Sequence, residues 1–277
     1  MLVRVIEKKD NSMRFVVEGI NPPLANALRR LMLAEVPSMA IEDVVIIENS
    51  SVLHDENLAL RLGLIPLKTD IAAYNFPEEC SCKSELGCNL CRAVLALDVQ
   101  AKDEITTVYS GDLVPENPNI APVSDKIPIV KLVSGQKIRL EAYARLGRGK
   151  DHAKWQPVSA CTYRYMPVVK INSAECNACG NCADVCPKKV FVKERDTVKV
   201  SKEIECILCE ECVKVCDRDP PAVQINWNEN TLIFYIESTG ALSVEQIMSE
   251  ALKIYEKKYT EFMNQITGIG NEPKETS

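Results

Sequence analysis

Thirteen cysteines stand in this 277-residue chain, and eight of them fall into two runs of identical spacing. Cys176, Cys179, Cys182 and Cys186 follow the pattern C-x2-C-x2-C-x3-C and lead into Pro187. Cys206, Cys209, Cys212 and Cys216 repeat the pattern, with Asp217 where the first run has proline. A cubane [4Fe–4S] cluster needs four converging thiolates, and a short irregular loop brings three of them to one side while the fourth comes from elsewhere. The duplicated run therefore predicts two [4Fe–4S] clusters. An empty site or a three-iron [3Fe–4S] form would leave the same signature. Structural zinc is the alternative chemistry, because C-x2-C pairs also suit it. Zinc, however, takes four ligands per ion in paired knuckles, whereas three evenly spaced cysteines with a distant fourth are the cubane arrangement.

A third group, Cys80, Cys82, Cys88 and Cys91, lies in the loop CSCKSELGCNLC. Its C-x-C and C-x2-C arms predict a tetrahedral zinc site that folds a connection with little core of its own. Four free thiols or a redox disulfide are the alternative. Cys161, in VSACTYRY, reads as a small buried core residue.

Composition bounds what surrounds these thiols. Apolar residues make up 46% of the chain and charged residues 26%, as in a folded globular protein. The formal charge of −6 argues against broad electrostatic attraction to nucleic acid, so any DNA is expected to be held by partners. No segment approaches the roughly 18 consecutive apolar residues that span a bilayer, and the start MLVRVIEKKD has no secretory apolar run. A cytoplasmic protein without membrane contact is expected, in which metal ligation explains the cysteines better than disulfides do.

The elements that must position these groups are legible in part. Residues 2–17 read as two strands around the turn Asp10-Asn11. Asn21 reads as an N-cap before Pro22 and Pro23, opening a helix whose Leu24, Ala27, Leu28, Leu31 and Met32 recur at helical spacing until Pro37. MAIEDVVIIE reads as a strand and residues 55–61 as a short helix; the middle, to about Pro167, is loop-rich and strand-like. TLIFYIEST reads as a buried strand. Ser243 with Gln246 then forms a capping box for a long helix carrying Val244, Ile247, Met248, Ala251, Ile254, Tyr255, Phe262 and Ile266. That stripe must be covered, by the chain's own core or by a partner. The tail 269–277 lacks apolar periodicity and is expected to be flexible.

The flanking segments VVKI, VFVKE, VKVS and VQIN fit a doubled β–α–β unit resembling bacterial ferredoxins over residues 168–226. In two-cluster ferredoxins the last cysteine of each run ligates the other cluster. The resemblance thus assigns Cys176, Cys179, Cys182 and Cys216 to one cluster and Cys206, Cys209, Cys212 and Cys186 to the other.

LANALRRLMLAEVPSMAIEDVVI, followed by LHDENLALRLGLIPL, resembles the α-type dimerisation module of DNA-directed RNA polymerase in its archaeal form. RLGRGKDHAKWQP, residues 145–157, is similar to the segment by which that family docks on the large subunits, and some archaeal members carry an inserted ferredoxin-like domain. The loop spacing at 80–91 is similar to that of the related third-largest eukaryotic polymerase subunit. What this implies is an α+β protein: a dimerisation domain from residues 1–50 and 227–268, an inserted mainly-β domain at 51–167 with the zinc loop, and the ferredoxin-like domain at 168–226. It implies a non-catalytic assembly platform pairing with the small subunit L, joined by adapter subunits N and P and the large catalytic subunits. Arg29, Arg30, Arg61, Lys150 and His152 are the docking candidates under the resemblance, and the clusters are structural or regulatory for assembly.

Without the resemblance, Arg29-Arg30 reads as a solvated helix face, and GRGKDHAKW lacks the spacing of a phosphate-binding loop. His54 and His152 have no nucleophile motif beside them and read as surface or packing residues. No acidic metal-binding cluster for nucleotidyl transfer is present, so no catalytic residue is expected. The competing class is a ferredoxin-type electron carrier or oxidoreductase subunit, against which stands the lack of any flavin, dinucleotide or haem fingerprint.

Overall fold

The computed structural model describes residues 1–84 and 87–268. The tail 269–277 lies outside the described residues. In chain order the strands and helices are β1 (Leu2–Lys8), β2 (Ser12–Glu18), α1 (Pro22–Ala34), β3 (Pro37–Asn49), α2 (Asp55–Gly63), β4 (Arg92–Gln100), β5 (Thr106–Tyr109), β6 (Val114–Pro115), β7 (Pro128–Leu132) and β8 (Lys137–Arg148). β9 (Val158–Ile171), α3 (Asn181–Val185), β10 (Phe191–Glu194), β11 (Thr197–Val200), α4 (Glu211–Lys214), β12 (Val223–Ser238) and α5 (Val244–Ile266) complete the α+β fold. The chain divides into two compact units: Met1–Lys8, Arg14–Ala25 and Thr162–Tyr235 form the first, and Lys9–Met13, Asn26–Cys161 and the residues from Ile236 on form the second.

In the second unit, β3, β8, β4 and β6 lie side by side in that order, with β5 and β7 pairing separately, and every pairing is antiparallel. Alternation along β8 sends Ile138, Leu140, Ala142 and Ala144 inward, where Met39, Ile41, Leu95 and Leu97 meet them. Leu58 and Leu62, one helical turn apart on α2, close the same core. The segment after β8 folds back closely enough that glycine is required: a Cβ on Gly147 would lie 2.3 Å from the Trp155 ring, and one on Gly149 would lie 2.1 Å from the Leu33 carbonyl oxygen.

Trp155 donates Nε1 to the Arg145 carbonyl (3.2 Å) and carries the Lys154 ammonium 4.5 Å above its ring. Lys154 and Arg145 (2.6 Å) both reach the Glu42 carboxylate. Burial alone would raise the Glu42 carboxyl, but the Lys154 hydrogen bond and the two charges overcome it and hold the group below the usual carboxylate range. A depressed folded-state value stabilises the protein above the ordinary carboxylate pKa, and the contribution is lost as pH falls through the folded value. Glu42→Gln is therefore expected to cost about 1–2 kcal/mol at neutral pH and close to nothing near pH 3. Urea midpoints of both chains across that range check it; a midpoint difference independent of pH counts against the pairing.

α5 begins with the reciprocal capping box expected from its sequence: Gln246 N donates to Ser243 Oγ (3.3 Å) and Ser243 N to Gln246 Oε1 (3.0 Å). Only its first turns bury side chains, Val244, Ile247 and Ala251. From Tyr255 onward its apolar residues face outward.

In the first unit, the sheet order is β1, β2, β12, β9. Phe15 stacks on Phe234 with centroids 5.3 Å apart, and Tyr163 tilts against the same ring at 5.6 Å. VQIN and TLIFYIEST, two strands in the sequence reading, are the ends of one 16-residue strand, β12. Its middle, residues 226–230, is exposed on both faces, so no apolar alternation marks it as strand. Backbone pairing holds it instead, with Gly19 N donating to Asn230 O (2.8 Å). The four segments expected to flank the cysteine runs are all strand, in β9, β10, β11 and β12. Around them sits a small core of Val169, Val190, Phe191, Val198 and Val223 with Cys182, Cys206 and Cys212.

Candidate metal centres

The two cysteine runs share more than spacing. In the first, Ala178 and Gly180 adopt positive φ (56° and 95°); in the second, Leu208 and Glu210 do so at the same offsets (59° and 60°). Each run then enters a short helix, α3 or α4, that carries its third cysteine inward. Left-handed residues between successive cysteines reverse the chain locally, so that thiols three residues apart turn to one side. At 210 a glutamate holds the conformation that glycine holds at 180, a strained position that its surroundings must enforce.

The electrostatics sort the thiols. Burial pushes the Cys182 thiol up, followed by the nearby Cys179 and Cys176. Burial pushes Cys212 up to about 11, followed by Cys206, Cys209 and Cys186. At Cys206 burial acts against a hydrogen bond from the Leu208 N–H, and Cys209 and Cys186 add to the rise. Cys186, last in the first run, therefore lies within electrostatic reach of Cys206 and Cys212 of the second run. Asn181 Nδ2, at the start of α3, donates to the Asp217 carboxylate (3.1 Å), which brings the residue after Cys216 to the first run.

The loop before β4 has a different geometry. Sγ–Sγ distances are 3.7 Å for Cys80–Cys88, 3.8 Å for Cys82–Cys91 and 3.9 Å for Cys88–Cys91, and all four sulfurs lie within 4.8 Å of one another. Zinc–sulfur bonds of about 2.3 Å in a tetrahedron put sulfurs about 3.8 Å apart, so this donor set fits a single tetrahedral ion. Gly87, at φ 76°, lets the loop close: a Cβ there would sit 3.0 Å from Cys91 Sγ. Backbone donation from Ser84, then its neighbouring thiols, draws Cys82 down to about 7, while burial sends Cys91 up to about 12. Among thiols this close, Cys82 gives up its proton readily while Cys80 and Cys91 hold theirs, the behaviour expected where a divalent cation would balance the charge. Cys161 is buried, as its sequence context predicts, and belongs to no metal-ligand group among the described residues.

An apolar groove of about 390 Å³ runs between α1 and α5. Ala27, Leu31 and Ala34 form one wall and Tyr255, Tyr259 and Phe262 the other. Tyr259, Phe262 and Ile266 are 57%, 59% and 64% exposed, which leaves the end of the helix without cover among the described residues.

The RNA polymerase Rpb3/RpoA insert domain matches residues 44–168, and the 4Fe-4S dicluster domain matches residues 175–220. DNA-directed RNA polymerase subunit Rpo3 of Archaeoglobus fulgidus is 42% identical over 264 residues, covering 95% of this chain and 97% of that protein. The chain belongs to the archaeal Rpo3 family. The Rpo3 proteins of Methanosarcina acetivorans (40% identical over 265 residues, 95% and 97% covered) and Pyrobaculum arsenaticum (39% over 264, 95% of each) agree.

As a member of the Rpo3 family the chain combines the insert domain with a ferredoxin-like module, and the dicluster match spans both cysteine runs. No helix among the described residues is long and apolar enough to cross a membrane. Of the docking candidates, Arg30 is exposed and lines the α1–α5 groove, whereas Arg29 is turned onto Asn26 Oδ1 (3.0 Å). Arg61 donates to the Pro128 carbonyl (3.0 Å), and Lys150 pairs with Glu35 (3.3 Å). His152 accepts from Lys154 N through Nδ1 (3.1 Å), and His54 is exposed. The sequence reading missed Arg14 and Arg164, which bind the segment before Cys206. Neither belongs to a motif, and they stand 191 and 42 residues from their partners Glu205 and Cys206, so no local pattern marks them.

Proposed function

We propose that the chain is the non-catalytic assembly platform of an archaeal-type DNA-directed RNA polymerase. Near full-length similarity to proteins named Rpo3 carries this reading. The uncovered face formed by α1 and the end of α5 supports it, since an apolar stripe of this size on a long helix requires a partner. On that face sits the small subunit L, in a dimerisation domain drawn from residues 1–50 and 227–268. Residues 51–167 form the insert and 168–226 the iron–sulfur domain. Adapter subunits N and P and the large catalytic subunits complete the assembly, with Arg29, Arg30, Arg61, Lys150 and His152 among the docking contacts. DNA is met only through these partners, in the cytoplasm.

The two runs hold two [4Fe–4S] clusters: Cys176, Cys179, Cys182 and Cys216 one, and Cys206, Cys209, Cys212 and Cys186 the other. The shared surroundings of Cys186 and the second run support the exchange of fourth ligands. When bound, each cluster cross-links four chain positions and so stabilises the module, which is its role here. Cys80, Cys82, Cys88 and Cys91 hold zinc, a reading supported by sulfur spacings that match a tetrahedron.

The test is the particle that a tagged copy occupies when purified anaerobically from its native host. Migration with large polymerase subunits and subunit L, in a complex far above 30.8 kDa, bears the reading out. Migration alone, or with a redox enzyme, sinks it in favour of an electron carrier.

A further inference from the structure

We propose that Arg164 is the positioning residue of the second cysteine run, an inference that rests on the two-cluster reading above. From β9 its guanidinium donates to two carbonyl oxygens at once, Ile204 O (2.5 Å) and Cys206 O. Arg14, on β2, binds the same Ile204 carbonyl (3.3 Å) and the Glu205 carboxylate (2.7 Å). The Glu203 carboxylate accepts Val169 N of β9 (2.8 Å). Four consecutive residues, 203–206, are thus fastened to two long strands just where the ligand loop begins.

The first run has nothing equivalent among the described residues. Cys176 N bonds the neighbouring Asn172 carbonyl (3.0 Å), and an exposed Lys193 donates to Cys179 O (2.7 Å). A planar guanidinium loses less freedom per bond than a flexible ammonium and fixes two carbonyls in one plane. With its carbonyl fixed, Cys206 presents its sulfur at one angle and height. Both bonds of Arg164 go to neutral carbonyls, and its charge is felt by the Glu205 carboxylate and by Cys206; at the cysteine loop it favours the more negative, reduced state of whatever the loop holds.

The experiment uses the full chain, purified anaerobically, with Arg164→Gln and Arg164→Lys beside the unsubstituted protein. Iron and sulfide content, iron release to a chelator, and a titration with a one-electron low-potential reductant followed by paramagnetic resonance are read for each. Glutamine is expected to speed iron release about tenfold for half of the iron only. It also shifts the reduced-to-oxidised equilibrium of that half about tenfold toward oxidised, which is 59 mV for a one-electron couple. Lysine keeps the charge without the fork, so it restores the potential but not the retention; should the glutamine chain fail to fold, this split still decides. Two clusters that behave as in the unsubstituted protein in both variants overturn the inference, as does equal loss from both clusters. An unsubstituted chain holding about four irons overturns the two-cluster reading itself, a separate result visible before any substitution.

Discussion

Glutamate in place of Phe262 is expected to weaken pairing with the proposed small partner subunit by more than about 100-fold while leaving this chain's own stability unchanged. Phe262 is 59% exposed on α5 and forms one wall of the groove with Tyr259 and Tyr255. Central aromatic side chains of interfaces cost about 2–4 kcal/mol on truncation, and each 1.4 kcal/mol is tenfold in affinity. A carboxylate buried there adds the cost of desolvating its charge. At the groove's polar edge Lys258 is already engaged by Glu35 (2.8 Å). Titration calorimetry of the full chain against subunit L reads the affinity, and thermal unfolding of the free chain controls for folding. An affinity within about threefold of the unsubstituted pair would place the partner elsewhere.

Removing iron from the chain is expected to abolish the fold of residues 168–226 while the sheet of β3, β8 and β4 persists. The module's helices have five and four residues, and β10 and β11 have four each. Its fully buried apolar core is five side chains beside three cysteines, with only half-buried residues such as Ile171, Leu208, Val213 and Ile225 packed around them. So little burial does not offset the entropy of ordering the segment, and domains of this size depend on metals or disulfides. On the proposed two-cluster reading each cluster joins four positions; by comparison with a disulfide at about 2–4 kcal/mol, the pair would contribute upward of about 4 kcal/mol. Amide exchange in β10, β11, α3 and α4 should then accelerate about a thousandfold or more on chelation, with β3 and β8 keeping their protection. Protection surviving in the iron-free module would show that its packing suffices and that the clusters serve something other than stability.

Local pattern carried a good part of this protein. Cysteine spacing is a covalent property, and the offsets that define both runs and the 80–91 loop hold whatever the rest of the chain does. Caps are equally local: Asn21 accepts Leu24 N (3.0 Å), and Ser243 closes its box with Gln246, each within one turn of its partner. Strand ends with a buried face were legible through their alternation. The exposed middle of β12 was not, because only pairing with neighbours makes it strand.

The stripe on α5 shows where the sequence stops. Its residues share one periodicity from Val244 to Ile266, yet the first turns bury Val244, Ile247 and Ala251 in the chain's own core and the later ones are bare. Periodicity reports that a face must be covered and says nothing of what covers it. Tertiary structure alone decided two further matters: that Arg164 and Arg14 meet residues 204–206, and that Gly147 and Gly149 admit Trp155 and the end of α1. Each depends on residues far apart in the chain brought within a few ångströms by sheet pairing and close packing, and no one-dimensional spacing encodes such a distance.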